Sequence, residues 1–302
     1  MIKLSEKQQK IITVILEKGA LGSSGIHAEM TQSGEAISLV TVKRALSEMA
    51  GAGILAMSGS GRSTIYELTT SGRIFADIDA RRYCSTEPDQ RYGRDRYDFS
   101  LLREFPSDLF TEDELTRLND ATAEYERRTK DLPAALQKKE LERLIIELSW
   151  KSSRIEGNTY TLLDTEKLIL ENKQAPGHDK KEAIMILNHK NAFDFVHQNS
   201  RQFKTITRKN LEELHAILVK DLSVDLGLRA RPVGILGSRY QPLDNIHQIR
   251  EAVENLGKAV ARMSNAYEKA LLALLGIGYV QPFNDGNKRT SRLLANAILL
   301  AY

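Results

Sequence analysis

From residue 111 onward, apolar residues return at the three- and four-residue spacing of a helix face, segment after segment. The pattern predicts helices at 112–129, 134–155, 161–172, 180–199, 207–222, 246–263 and 265–278, joined by short polar loops. Such a chain can bury its apolar stripes only by packing helix against helix. One stretch breaks the rule. "GLRARPVGILGSRYQPL", residues 227–243, pairs short apolar runs with turn glycines and Pro232, and is predicted to be a small β-hairpin.

Upstream the periodicity changes. Leu4, Ile11, Ile12, Ile15 and Leu16 share one face of a helix over 4–18, which Gly19 and "GSSG" (22–25) interrupt. A second helix is predicted at about 25–32, with Ser23 or Ser24 as its N-cap. A third starts from Ser38 or Thr41 and turns Val42, Ala45, Leu46 and Met49 inward. Two short β-rich runs around a Gly/Ser turn follow, in "ILAMSGSGRSTIYELTTSG" (54–72). In arrangement, residues 1–80 resemble a winged helix-turn-helix, an α+β domain. The functional reading of this resemblance puts residues 38–44 in a DNA major groove, with Lys43 and Arg44 on phosphates and Arg62 at the minor groove or the backbone. The alternative is a winged helix that docks proteins or the chain's own second domain. Residues 81–110, opening with the charged, tyrosine-rich "RRYCSTEPDQRYGRDRYDFS", read as a linker or arm, and 111–302 as the second domain.

The totals exclude little. Net charge is +3 over 302 residues, too small to imply nucleic acid by itself. A single cysteine, Cys84, excludes an internal disulfide and a cysteine metal cluster. The apolar runs fall short of the roughly 20 residues needed to cross a bilayer, and the N-terminus has acids and glutamines where a signal peptide is apolar. The expectation is a cytoplasmic protein without a membrane partner.

The most informative chemistry lies in "QPFNDGNKRTSR", residues 281–292. Gly286 permits a tight turn, Asp285 and Asn287 suit it, and good helix formers follow. Backbone N–H groups of Gly286, Asn287 and Lys288 would then face outward at a helix start, which makes an anion site. Arg289 and Arg292 are three residues apart, so both can reach a polyphosphate from one face. Asp285 supplies a hard oxygen for Mg²⁺, an ion that binds through one or two carboxylates plus substrate phosphates.

The order of these residues resembles the signature of the Fic (Fido) family, His-x-Phe-x-Asp/Glu-Gly-Asn-Gly/Lys-Arg-x-x-Arg. It matches at Phe283, Asp285, Gly286, Asn287, Lys288, Arg289 and Arg292. The resemblance implies a mainly helical core with a small hairpin flap, which binds ATP with Mg²⁺ and moves AMP onto a hydroxyl of a target protein. In that scheme Asp285 holds the metal, Gly286 and Asn287 the α-phosphate region, and Arg289 and Arg292 the outer phosphates. The flap, at Ile235, Leu236, Gly237 and Ser238, would clamp the target segment by adding it as a strand. Self-association into a homo-oligomer is compatible with the family.

The pattern fails at one position. Gln281 stands where the family has its catalytic histidine, and a carboxamide is no base at neutral pH. Binding without efficient transfer is the expected consequence. A second resemblance lies at about 140–157, an amphipathic helix running into Ser152-Ser-Arg-Ile-Glu156-Gly157. It is similar to the family's inhibitory motif, which implies that Glu156 pairs with Arg292 while Ser152 orients the acid. The leading reading is an adenylyltransferase type braked by Glu156 and impaired at Gln281. The alternatives are a winged-helix DNA-binding regulator with a silent, nucleotide-sensing domain, and a protein-docking pseudoenzyme.

Overall fold

Ser5 opens the first helix, α1 (Glu6–Lys18), through a reciprocal cap: the Gln8 N–H donates to the Ser5 hydroxyl, and the Ser5 N–H to the Gln8 side chain at 2.8 Å. Gly19, at φ 84°, stops it. The computed structural model, which describes residues 4–302, falls into two compact units. One is the chain up to Pro106 together with Gly234–Gln241; the other is Ser107–Val233 with Pro242–Tyr302.

In the first unit, β1 (Leu21–Gly22), α2 (Ser23–Gln32), α3 (Leu39–Gly51), β2 (Leu55–Ser58) and β3 (Ile65–Leu68) follow α1. The strands form an antiparallel sheet in the order β1-β3-β2, with Leu55 opposite Leu68 and Ser58 opposite Ile65. Ile11, Ile15, Ile26, Val42, Leu46 and Leu68 make its core. Ser38 caps α3, accepting the Thr41 N–H at 3.2 Å. Neither Ser23 nor Ser24 caps α2. That helix begins at Ser23 behind Gly22, with no side-chain cap, because β1 delivers the chain directly into it.

Residues 81–106 hold short helical segments. After α4 (Thr70–Ile74), Asp79 caps α5 (Ala80–Ser85) by accepting the Arg81 and Arg82 N–H groups, and α6 (Leu101–Glu104) closes the stretch.

The second unit is helical throughout: α7 (Glu112–Thr129), α8 (Ala134–Ile155), α9 (Leu162–Glu171), α10 (Lys180–Gln198), α11 (Arg208–Leu218), α12 (Ile246–Arg262), α13 (Ala266–Val280) and α14 (Asn287–Ala301). Helix α14 lies along α13 and also touches α8, α10 and α11, so its inner residues Leu293, Leu294, Ala297 and Ile298 are buried. No described helix is long and apolar enough to cross a membrane.

The predicted β-hairpin at 227–243 does not form. Among the described residues it holds no strand; it has a turn in which the Ser238 N–H donates to the Ile235 carbonyl at 3.0 Å, and one isolated bridge at Gln241. The reason lies in its hydrogen-bond partners. Pro232 and Pro242 have no N–H for a ladder, Arg229 takes the Arg231 and Leu243 carbonyls, and the Gln241 N–H donates to Asp95.

Candidate functional site

Helix α13 ends because Gln281 turns left-handed, at φ 50° and ψ 59°. Its N–H donates to the Ile277 carbonyl at 2.9 Å, and its side-chain Nε2 to the Gly278 carbonyl at 2.7 Å. The Gln281 carboxamide thus folds back on its own helix.

The loop that follows is shaped by side chains. Fully buried Phe283 stacks on His215 of α11, with ring centroids 3.7 Å apart and planes 7° from parallel. Asn287 clamps the Phe283 backbone in both directions, accepting its N–H at 2.9 Å and donating to its carbonyl at 2.8 Å. The His215 Nε2–H donates to the Asp285 carbonyl at 2.9 Å. Burial pushes His215 down to about 4, which keeps the ring neutral at physiological pH. Gly286 sits at φ 80°, and a Cβ there would lie 3.0 Å from Val219 and 3.4 Å from the His215 ring. Only glycine suits this turn.

Helix α14 therefore starts at Asn287 with no side chain capping it. Its first-turn N–H groups and the positive end of its dipole are open to an anion. The Gly286 N–H is not part of this set, since the Asp285 carboxylate takes it at 2.6 Å. Lys288 is exposed at the helix start, and the Asp285 side chain is 70% exposed.

The two arginines are not alike. Arg289 is only 4% exposed and donates to the Leu218 carbonyl at 3.2 Å, with Asp285 at 3.5 Å. Burial lowers its pKa, while Asp285 and Glu156 favour its charge. Its geometry braces the loop from behind. Arg292 is part-exposed, and its Nη2 donates to Glu156 at 2.7 Å and to the Ser152 carbonyl at 3.0 Å. The Ser152 hydroxyl accepts from Arg292 Nε at 3.1 Å, so it holds the arginine and not, as expected, the acid. Glu156 ends α8, where the helix dipole disfavours a carboxylate, and Arg292 compensates. Ile235–Ser238, the expected flap residues, belong to the other unit.

The donor set fits a nucleotide phosphate with its metal. A Cβ would fill the cradle at Gly286, the helix start beyond it is uncapped, and Asp285 presents an exposed oxygen. Among the described residues no cluster of three or more His, Cys, Asp or Glu could hold a metal ion. One carboxylate plus substrate phosphates is, however, an ordinary Mg²⁺ ligand set.

Two residues that shape the site were not singled out from the sequence. Arg229, 1% exposed, donates through Nε to the Gln281 carbonyl at 2.7 Å, and its backbone N–H goes to Pro282 at 3.0 Å. Asp225 accepts from Asn284 at 2.9 Å. His215 did carry a signal: it continues the buried stripe of Leu211, Leu214 and Leu218 on α11, where a titratable ring needs a buried partner.

Among the comparisons with known proteins, the family match falls on this region. Residues 205–299 match the Fic/DOC family. Protein adenylyltransferase fic-1 of Caenorhabditis elegans is 26% identical over 151 residues, which cover 48% of this chain and 30% of that protein. Protein adenylyltransferase Fic of Nematostella vectensis is 30% identical over 156 residues, covering 50% and 36%. The chain thus spans about a third of the length of these curated relatives (30% and 36%). A Fic domain containing signaling protein from Bacteroides thetaiotaomicron VPI-5482 superposes with a TM-score of 0.51 at 22% identity, over 58% of this chain and 69% of that one. A Fic family protein from Desulfovibrio desulfuricans G20 gives 0.53 at 20%, over 64% and 59%. The two structures bear on the fold alone. The family match places a Fic/DOC domain at residues 205–299 of this chain, and the loop before α14 lies within it.

Proposed function

We propose that the chain binds ATP with Mg²⁺ at the start of α14 and is, by kind, a protein adenylyltransferase, restrained by Glu156 and impaired at Gln281. The observation that carries this reading is the uncapped helix start behind Gly286 with Arg292 tied to Glu156. The adenylyltransferase names of the relatives support this reaction class.

In this reading Asp285 holds Mg²⁺, which when bound offsets the charge of the phosphates. The N–H groups of Asn287 and Lys288 face the α-phosphate, and Arg292 reaches the outer phosphates once Glu156 releases it. A Ser, Thr or Tyr hydroxyl of a target protein then attacks the α-phosphorus, and pyrophosphate leaves. The hydroxyl proton needs an acceptor. Gln281 offers none, and its carboxamide is bonded back to Gly278. General-base catalysis contributes about 10²–10⁴ in rate, so transfer is slow while binding persists.

The test compares the chain as it stands with Gln281→His, Glu156→Gly and the double variant, by ATP titration and by labelling from α-labelled ATP. A charge-assisted hydrogen bond is worth about 1.5–3 kcal/mol, so Glu156→Gly is expected to tighten ATP binding roughly ten-fold or more. Strong labelling is expected of the double variant alone. Labelling by the unchanged chain would remove the argument from Gln281, and absence of ATP binding in the Glu156→Gly variant would remove the whole reading.

A further inference from the structure

The segment 234–241 is already occupied, by the chain itself. Residues 91–96 run alongside it, and Arg96 and Gln241 form a parallel bridge. The Gln241 N–H donates to the Asp95 carbonyl at 2.7 Å. Two arginines are exchanged across the pair: Arg91 Nη1 donates to the Gly237 carbonyl at 3.0 Å, and Arg239 Nη2 to the Gly93 carbonyl at 2.6 Å. Gly93 adopts φ 118°, a backbone that an L side chain rarely takes, so the register needs glycine there.

The arm is anchored from behind as well. Arg91 Nε and Nη2 hold the Thr86 and Cys84 carbonyls at 2.8 and 2.9 Å, and its guanidinium lies 5.6 Å from the Tyr83 ring centroid. The Tyr83 hydroxyl donates to the Tyr92 carbonyl at 3.1 Å. Leu236, at the tip of the opposing turn, is fully exposed and free to meet a partner.

We propose that Arg91–Arg96 is a resident copy of the segment this edge recognises. The edge takes an extended peptide with arginine two residues before glycine, and the arm must leave before a target bearing that pattern can dock. The proposal rests on the reading of Ile235–Ser238, within this segment, as the target-docking flap. Three features define the chemistry: an arginine for the Gly237 carbonyl, a glycine whose carbonyl meets Arg239, and a further carbonyl for the Gln241 N–H. A segment tethered in the same chain acts at an effective concentration of order millimolar, so a free peptide competes poorly while the arm is in place.

The probe is a labelled synthetic peptide of residues 88–100, titrated against the full chain without nucleotide, with hydrogen exchange of the Gln241 amide followed in parallel. Arg91→Ala loosens the arm. Gly93→Val disfavours the required backbone but leaves the Arg91 bonds to Cys84 and Thr86 in place, which guards against local unfolding in the first variant. At least one of the two is expected to bind the peptide about ten-fold tighter than the unchanged chain and to exchange the Gln241 amide faster. Adding Arg239→Ala to that variant should abolish the gain. Equal peptide binding by the unchanged chain and both variants overturns the proposal, as does a gain that survives Arg239→Ala. Since no nucleotide enters the titration, its failure and the failure of ATP binding are separate results.

Discussion

Arg229 and His189 show how single buried groups set the conditions around the loop. Arg229 gives its guanidinium to the Gln281, Arg231 and Leu243 carbonyls, groups far from one another in sequence. Arg229→Met leaves these carbonyls without that donor and is expected to cost about 3 kcal/mol or more in chemical denaturation. A loss below about 1 kcal/mol would deny it this role. His189 accepts or donates a bond with the Ser149 hydroxyl at 3.2 Å, and burial, with Arg292 and Arg289 nearby, pushes it down to about 3. A folded pKa below the unfolded one means stability that is complete above about pH 6.5 and lost as the pH falls toward the folded value. Between pH 7 and pH 5 the loss is about 2 kcal/mol for such a histidine, and His189→Gln should abolish that share of the slope. The residues of the loop itself were legible because turn chemistry and helix spacing are local rules. The burial of Arg229 was not, since the carbonyls that make it tolerable come together only in the folded chain.

Helix packing makes the glycines of α12 and α13 a matched test. A Cβ on Gly257 would sit 2.6 Å from the Ile206 backbone oxygen, which cannot swing aside, so Gly257→Ala is expected to lower stability by about 1–3 kcal/mol. Gly278 has nothing within 4 Å of the same added atom, and Gly278→Ala should stabilise α13 by about 0.5–1 kcal/mol. Thermal melts of the two variants should move in opposite directions; movement in the same direction would contradict the packing described. The helices of the second unit were readable because each carries a continuous apolar stripe. The stretch 227–243 misled because alternation and turn glycines describe a hairpin only when the two runs pair with each other, and here their partners lie elsewhere.

At the scale of the molecule, two units each have a buried core of their own, one built on Ile11, Val42 and Leu46, the other on Leu256, Ile277 and Leu294. The first unit exposes one face of α3, with Lys43 and Arg44 on it, yet Arg44 is bonded to Glu48 at 2.9 Å and the chain's net charge is only +3. The full chain is therefore expected to bind duplex DNA only non-specifically, at about 10⁻⁵ M near physiological salt. Nanomolar binding with a steep salt slope and a sequence preference would instead make the first unit the functional centre.

By itself the sequence determined the helical periods, the turn at Asp285–Asn287 and the mismatch at Gln281, because spacing, turn propensity and side-chain chemistry act over a few residues. Only the tertiary structure decided that Arg289 faces inward while Arg292 meets Glu156, that Gln281 bends back to Gly278, and that residues 91–96 lie against 237–241. Those outcomes depend on which carbonyls and carboxylates distant segments leave unpaired, and no local rule encodes that.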